Sequence, residues 1–456
     1  MSQSENPPSS PQATTRLRPV LRLRDLVFYG IVIIQPIAPV PIFGVTQKLS
    51  MGFAVTAVAI SGIAMMLTAF SYGRLAALYP AAGSAYTYVG RGLNPHLGFL
   101  AGWAMALDYL VLPIVAIVQA ALTAHRLVPS ISYSEWAIVF TALLTTVTLW
   151  GIRATARANI ALLACMFLVC GAFVYLAIVY LSHQGGAQAL LSARPFYDPA
   201  TFNWRAVSMA TAFAALTYIG FDGVTTLAED VENPRRNVLI AIVSVCAFTT
   251  LFSCLLVYLA QMIWPDYHAF PNIETAFMDV TRRVGGEPLF QAMGIVILLG
   301  SLGSGLSGEV AAARLLFAMG RDGILPRKFF GYVDTVRSVP TFNVLLIAVV
   351  TLFGCLLFDL EQAGDLLNFG AFLSFMGVNL AAIRQYFFSP PAFHRRRVLT
   401  DLAVPGVGFL FCLAMWINLP SLAKVVGGLW FMAGIIYGAL RTKGFRTQPV
   451  VIDFIE

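Results

Sequence analysis

The stretch IIQPIAPVPIFG, residues 33–44, lies inside an apolar run long enough to cross a bilayer and carries Pro36, Pro39 and Pro41. Each proline removes a backbone N–H and blocks the bond to the carbonyl four residues back. Their close spacing predicts an unwound segment at mid-membrane depth. Unwound backbone at that depth is tolerated only where it is buried in protein or lines a cavity. A second interruption is expected in TYIGFDGVTTLAEDVENP, residues 217–234, where Gly220 and Gly223 flank Asp222.

The rest of the chain fits a bilayer setting. Of 456 residues, 58% are hydrophobic and 11% charged, with a mean hydropathy of +0.78. Soluble domains carry about 25% charged residues, so covering this much apolar surface calls for lipid. Twelve apolar segments are expected: 26–46, 52–78, 96–126, 135–151, 158–182, 206–229, 238–264, 289–319, 340–358, 364–387, 401–418 and 424–441. The interrupted ones are the first and the sixth. That is the spacing of a five-plus-five inverted repeat with its site where the two breaks meet, although two unrelated kinks would look the same in sequence. The division expected is a disordered cytoplasmic N-terminus (1–24), a first repeat (25–200), a second repeat (201–390) and a final pair of helices with a short tail (391–456).

The net charge is +7, but Lys and Arg form short clusters between apolar runs instead of one patch, which argues against nucleic-acid binding. Arg74, Arg91, Arg235, Arg236, Arg327, Lys328, the run Arg395–Arg397 and Arg441 fall on one side; Lys48, Arg126, Arg194, Arg282 and Arg283 fall on the other. The bias is about threefold and places both termini in the cytoplasm. No cleavable signal peptide is read at the N-terminus. There is no Walker A sequence, so transport driven by ATP hydrolysis in this chain is not expected. Cys165, Cys170, Cys246, Cys254, Cys355 and Cys412 lie in apolar stretches without a C-x-x-C pair and read as small buried residues. His96, His125, His183, His268 and His394 show no ligand spacing, so neither a metal nor another cofactor is expected. No nucleophile elbow or His-Asp pair suggests an enzyme.

Three motifs carry a family resemblance. PAAGSAYTYVGRGLNPHLGFLAGW (80–103) followed by LDYLVLP (107–113), GFDGVTTLAEDVENPRRNV (220–238), and ARLLFAMGRDGILP (313–326) resemble amino acid–polyamine–organocation transporters. Within that family the pattern is most similar to bacterial putrescine importers, which share the LDYLxLP, GFDxVTTL, RLLxxMGRD and NFGA patterns, the last at Asn368–Ala371. The resemblance implies an all-α, twelve-helix fold with discontinuous first and sixth helices, and uptake coupled to an ion gradient, commonly protons. Two departures qualify it. Amino acid carriers of the family have a glycine-serine-glycine stretch in helix one whose N–H groups cradle a carboxylate; this chain has QPIAPVP, whose carbonyls suit a cation better. Putrescine importers tend to have an aspartate about where Pro41 stands. Helix five, from Arg157 to Ser182, also lacks the interior lysine that replaces a sodium ion in some proton-coupled members.

Carboxylates at the bilayer centre are costly and usually functional. Asp222 is read as pairing with a substrate ammonium, binding a proton, or both; the alternative is capping one helical half. Glu309, in SGLSGEVAAAR, either serves the site or pairs with Arg314 about one turn on. Successive helical residues point about 100° apart, so one of Asp108 and Tyr109 is expected to face the cavity, and Tyr109 is favoured. The substrate-binding set is therefore Ile37, Ala38, Pro39, Tyr109, Ile219, Phe221, Asp222 and Glu309, with Asp222, Glu309 and Asp108 as proton-coupling groups. Phe221, Phe369 and Phe372 are walls, gates or plain packing. Glu229, Asp230, Glu232, Arg235 and Arg236 form either an inner latch or a solvated turn. The function expected is secondary import of a small amine, polyamine or amino acid across the inner membrane, with a proton, or alternatively sodium, as partner, by a monomer or homodimer. A neutral amino acid permease or exchanger and a membrane ligand sensor are the alternatives.

Overall fold

The computed structural model describes residues 21–79, 84–151, 156–185, 190–321, 323, 325–334, 337, 339–391 and 394–447. Among these, regular structure is helical, apart from a bridge pairing Leu21 with Val231. The first apolar run forms two helices, α1 (Leu23–Ile34) and α2 (Phe43–Leu49), separated by the prolines. Then come α3 (Ala54–Leu78), a short α4 (Ser84–Gly92), α5 (Pro95–Leu127), α6 (Tyr133–Leu149) and α7 (Ala156–Gly185). The second half has α8 (Trp204–Ala214), α9 (Pro234–Ile263), α10 (Ala276–Arg321), a single turn α11 (Arg327–Phe330), α12 (Thr341–Leu357), α13 (Leu360–Ile383), α14 (Val404–Asn418) and α15 (Ser421–Arg441).

Local sequence fixes several of these boundaries. Asn94 caps the His96 N–H and Pro95 takes the first helical position, so α5 starts where the apolar run begins. Ser132 and Glu135 form a capping box at α6, and Asp359 and Gln362 form one at α13. Nine helices are long and apolar enough to cross a membrane, among the described residues, and α6 and α12 are shorter apolar helices. One boundary differs from expectation. The stretch between the expected seventh and eighth segments, 265–288, contains helix from Ala276, which runs on into the expected eighth segment. Gly286 (φ 65°, ψ −162°) bends the chain there, two residues before Pro288. Apolar patterning misses such a helix because its residues do not need to face lipid.

Helix α3 packs along α9, while α5 lies between α10 and α13. A buried polar knot joins three helices: the Ser71 hydroxyl donates to Asn379 Oδ1 at 2.7 Å, and Asn379 Nδ2 donates to Thr68 Oγ1 at 3.1 Å. Thr68 in turn sits 3.5 Å from the Cys412 sulfur. At the end of the bundle that carries α4, Arg74 reaches the buried Asp401 at 2.8 Å and stacks 3.6 Å from the Tyr386 ring centroid. At the opposite end, which carries α2, Lys48 lies 3.8 Å from Glu361.

The knot at Asn379 predicts a specific cost. Asn379→Leu leaves Ser71 and Thr68 only their longer contacts at 3.5 Å to the Leu67 carbonyl and the Cys412 sulfur, and should destabilise the protein by about 1–3 kcal/mol, read as a lower midpoint of thermal unfolding in detergent. An unchanged midpoint would mean that the knot contributes nothing to stability.

Candidate functional site

After α1 ends, Gln35 adopts φ 65° and the backbone turns tightly, with Ala38 N–H donating to Gln35 O (3.1 Å) and Val40 N–H to Ile37 O (2.9 Å). Pro36 cannot donate to Val32, and the Ile34 carbonyl loses its helical donor because Ala38 is bonded elsewhere. The break frees the Val32 and Ile34 carbonyls, whereas within 36–41 the Ile37 and Val40 carbonyls accept from Val40 and Phe43. The Gln35 side chain donates to the Gly300 carbonyl of α10 at 3.2 Å, tying the break to that helix. Pro36, Ile37 and Pro39 are buried, whereas Ala38 keeps accessible surface.

In the sixth segment, α8 stops at Ala214 and a 3-10 turn, Ala215–Tyr218, follows. Ile219 is extended and Gly220 is left-handed at φ 102°, before a second 3-10 stretch, Phe221–Asp230. The two breaks meet at Gly220. A methyl group placed there would come up against the Ile33 side chain and lie 4.0 Å from the Ile33 carbonyl. Gly223 faces Ile33 in the same way. Glycine is required at residue 220 both by its φ and by this approach.

Asp222 follows directly and stays half-buried. Its Oδ2 accepts the Ser84 hydroxyl of α4 at 3.0 Å, and its carboxyl also lies against the N–H groups of its own turn. The capping reading of Asp222 thus has a geometric counterpart in the N–H groups of its own turn. No Lys, Arg or His pairs with it among the described residues. Asp108 and Tyr109 of α5 lie within electrostatic reach of Asp222, as do Tyr72 and Tyr88. Tyr109 and Ile219 are also half-buried. Tyr109 additionally packs on the small cluster around Ala312 and Ala313 of α10.

Other residues fall elsewhere. Glu309 is 3% exposed and accepts Thr145 (2.9 Å) and Thr148 (2.7 Å) of α6, bracing α6 to α10. The pairing weighed with Arg314 is not formed; Arg314 is turned to the surface. Phe221 is fully buried beneath the site, its ring 5.4 Å from Tyr72 and 5.1 Å from Phe375. Phe369 packs on Trp416 of α14 at 5.4 Å, and Phe372 is fully buried. Of the acidic stretch after the second break, Glu232, Arg235 and Arg236 are exposed, while the side chains of Glu229 and Asp230 lie outside the described residues, as do residues 80–83 of the first motif. A surface cavity of about 690 Å³ lies at the α2 end, lined by Trp264, Asp266, Asp279 and Arg283 among others. It contains none of the site residues, and the polar groups at the two breaks identify the site better than this concavity does.

Sequence reasoning missed Gln35, Ser84, Tyr72, Tyr88, Thr145 and Thr148. The threonines carried a signal, since two hydroxyls three residues apart share one helical face. The other four are distant in sequence from what they touch.

Residues 40–440 match the family model for amino acid permeases. The chain is 32% identical to the low-affinity putrescine importer PlaP of Escherichia coli (strain K12), over 95% of this chain and 96% of that one. It is 25% identical to the methylthioribose transporter of Bacillus subtilis (strain 168), over 83% of each chain. It is 26% identical to the chloroplastic cationic amino acid transporter 6 of Arabidopsis thaliana, over 81% of this chain and 66% of that one.

Two substitutions check the geometry. Gly220→Ala forces a side chain into a left-handed position against Ile33 and should cost about 1–3 kcal/mol in thermal unfolding. Glu309→Leu leaves the Thr145 hydroxyl unpaired and Thr148 with only its bond to the Leu144 carbonyl, and should melt at a lower temperature than Glu309→Gln, which keeps an acceptor. Equal midpoints for the two Glu309 variants would contradict the threonine brace.

Proposed function

The chain belongs to the amino acid permease family of transporters, and from that premise we propose that it imports a small organic amine, as a cation, in exchange for the energy of a proton gradient. One observation carries this reading. A half-buried carboxylate, Asp222, sits where two broken helices meet and has no cationic side chain beside it among the described residues. Leaving such a charge uncompensated inside a membrane protein is costly, so its partner is an incoming ammonium or a proton. The carbonyls stripped of donors around Pro36 add partial negative charge on the other side. Tyr109 supplies a ring and a hydroxyl to orient the guest. Ala38 and Ile219, which keep accessible surface, line the site; Ile37, Pro39 and Phe221 back it as buried packing, and Asp108 is a second acid within electrostatic reach of Asp222.

In this proposal the chain crosses the membrane twelve times, counting α1 with α2 and α8 with the 3-10 stretches as single crossings. Residues 25–200 and 201–390 are inverted repeats, and 391–456 hold α14, α15 and the tail. Both termini face the cytoplasm of the inner membrane, as the Lys/Arg bias requires. Alternating access then proceeds by rocking of the helices that carry the breaks against those that carry α10. Asp222 carries the proton, Asp108 relays it, and Glu309 contributes through the α6–α10 brace. The protein works as a monomer or homodimer.

A neutral amino acid as cargo, whether imported or exchanged, would need N–H donors for its carboxylate, and Pro36, Pro39 and Pro41 have none to give. A role as a ligand sensor would keep the site but leave uptake absent.

The test is uptake of labelled amines and amino acids into proteoliposomes with an imposed pH gradient. Amine uptake should rise with the inward proton gradient and be indifferent to sodium. Asp222→Asn should lower it at least about ten-fold, the cost of losing one charged hydrogen bond. Equal uptake with and without the gradient would remove the proton, and stabilisation by α-amino acids alone would remove the amine.

A further inference from the structure

We infer that Ser84 is a positioning residue that reports occupancy of Asp222 to helix α4, so that binding of a cation loosens the first turn of α4. Ser84 is the first residue of α4, 1% exposed, and adopts φ 44°. That left-handed conformation is uncommon for serine and persists where surrounding contacts hold it. Here the contact is the bond from its hydroxyl to Asp222 Oδ2 at 3.0 Å. One turn on, Tyr88 is fully buried and meets the Tyr72 ring edge-on at 5.8 Å; Tyr72 meets Phe221, the neighbour of Asp222, at 5.4 Å. Helix α4 is thus docked on the second break through one polar contact and one aromatic chain.

The polar contact is the part that a ligand can change. A serine hydroxyl has one proton to donate, while an ammonium has three and a full charge. A cation at Asp222 competes for the same oxygen and neutralises the charge that makes the serine bond strong. Further along, α4 has other anchors: Gln385 Nε2 donates to the Arg91 and Gly92 carbonyls at 3.4 and 3.5 Å, and the helix packs on α5 and α13. These lie away from Asp222, so the loosening with the site filled is confined to the first turn of α4.

This inference rests on Asp222 being the cation-binding acid, and the experiment separates the two. Hydrogen exchange of α4 amides is followed by mass spectrometry in the full chain in lipid nanodiscs, with and without putrescine as the probe amine. In the wild type, putrescine should speed exchange in residues 84–88. In Ser84→Ala, the same amides should exchange about ten-fold faster before any amine is added, the effect of losing one hydrogen bond to a charged group. The response to amine should then vanish. Exchange in Ser84→Ala that matches the wild type without ligand overturns the tether, whatever the amine does. Asp222→Asn binding putrescine as tightly as the wild type, read by thermal shift, overturns the cation site itself. Loss of binding in Asp222→Asn alongside wild-type α4 exchange in Ser84→Ala removes the tether alone.

Discussion

Inside a membrane a backbone carbonyl without a donor has no water to turn to, and the architecture of this protein is organised around a place where that condition is imposed. Pro36, Pro39 and Pro41 cannot donate, so helix cannot continue between Ile34 and Phe43. The freed carbonyls must then be enclosed by protein. The chain meets this requirement by bringing a second broken segment against the first at Gly220, where the absence of a side chain lets the backbones approach. It also anchors the first break to α10 through Gln35. The oxygens freed at the first break and the Asp222 carboxylate lie on the two segments that meet at Gly220.

Around this centre the polar groups divide into two kinds. Some are fully satisfied by neighbours and act as structural ties: Glu309 between Thr145 and Thr148, Asn379 between Ser71 and Thr68, and Asp401 against Arg74 and His394. Asp222 is of the other kind. It has a hydroxyl and nearby N–H groups but no opposite charge. Buried ionised groups that lack a counter-charge are the ones whose state a ligand can alter, because the ligand supplies what the fold withholds. That contrast separates Asp222 from Glu309, although in sequence both are lone acids in apolar, small-residue stretches.

Most of the architecture was legible in sequence because it rests on rules that act within one segment. Apolar length located the helices, prolines located the first break, and glycines around Asp222 located the second. The eighth segment was longer than expected because its first part is helical without needing a lipid-facing apolar run. The site was legible only in its acids and breaks. Its hydroxyls were not, because Ser84 and Gln35 act on residues 138 and 265 positions away, and no local pattern records such a partner.

By itself the sequence determined that this chain is a helical membrane protein, that its first and sixth apolar segments are interrupted, and that an acid lies at the second interruption. Each of these follows from solvation and backbone geometry over a few consecutive residues. Only the tertiary structure decided which acid is tied down and which is left open. It turned Arg314 outward and gave Glu309 two threonines, and it gave Asp222 a serine from a short helix lying between two of the expected apolar segments. Those outcomes depend on which faces meet when helices pack, and a one-dimensional pattern of residue types does not contain that choice.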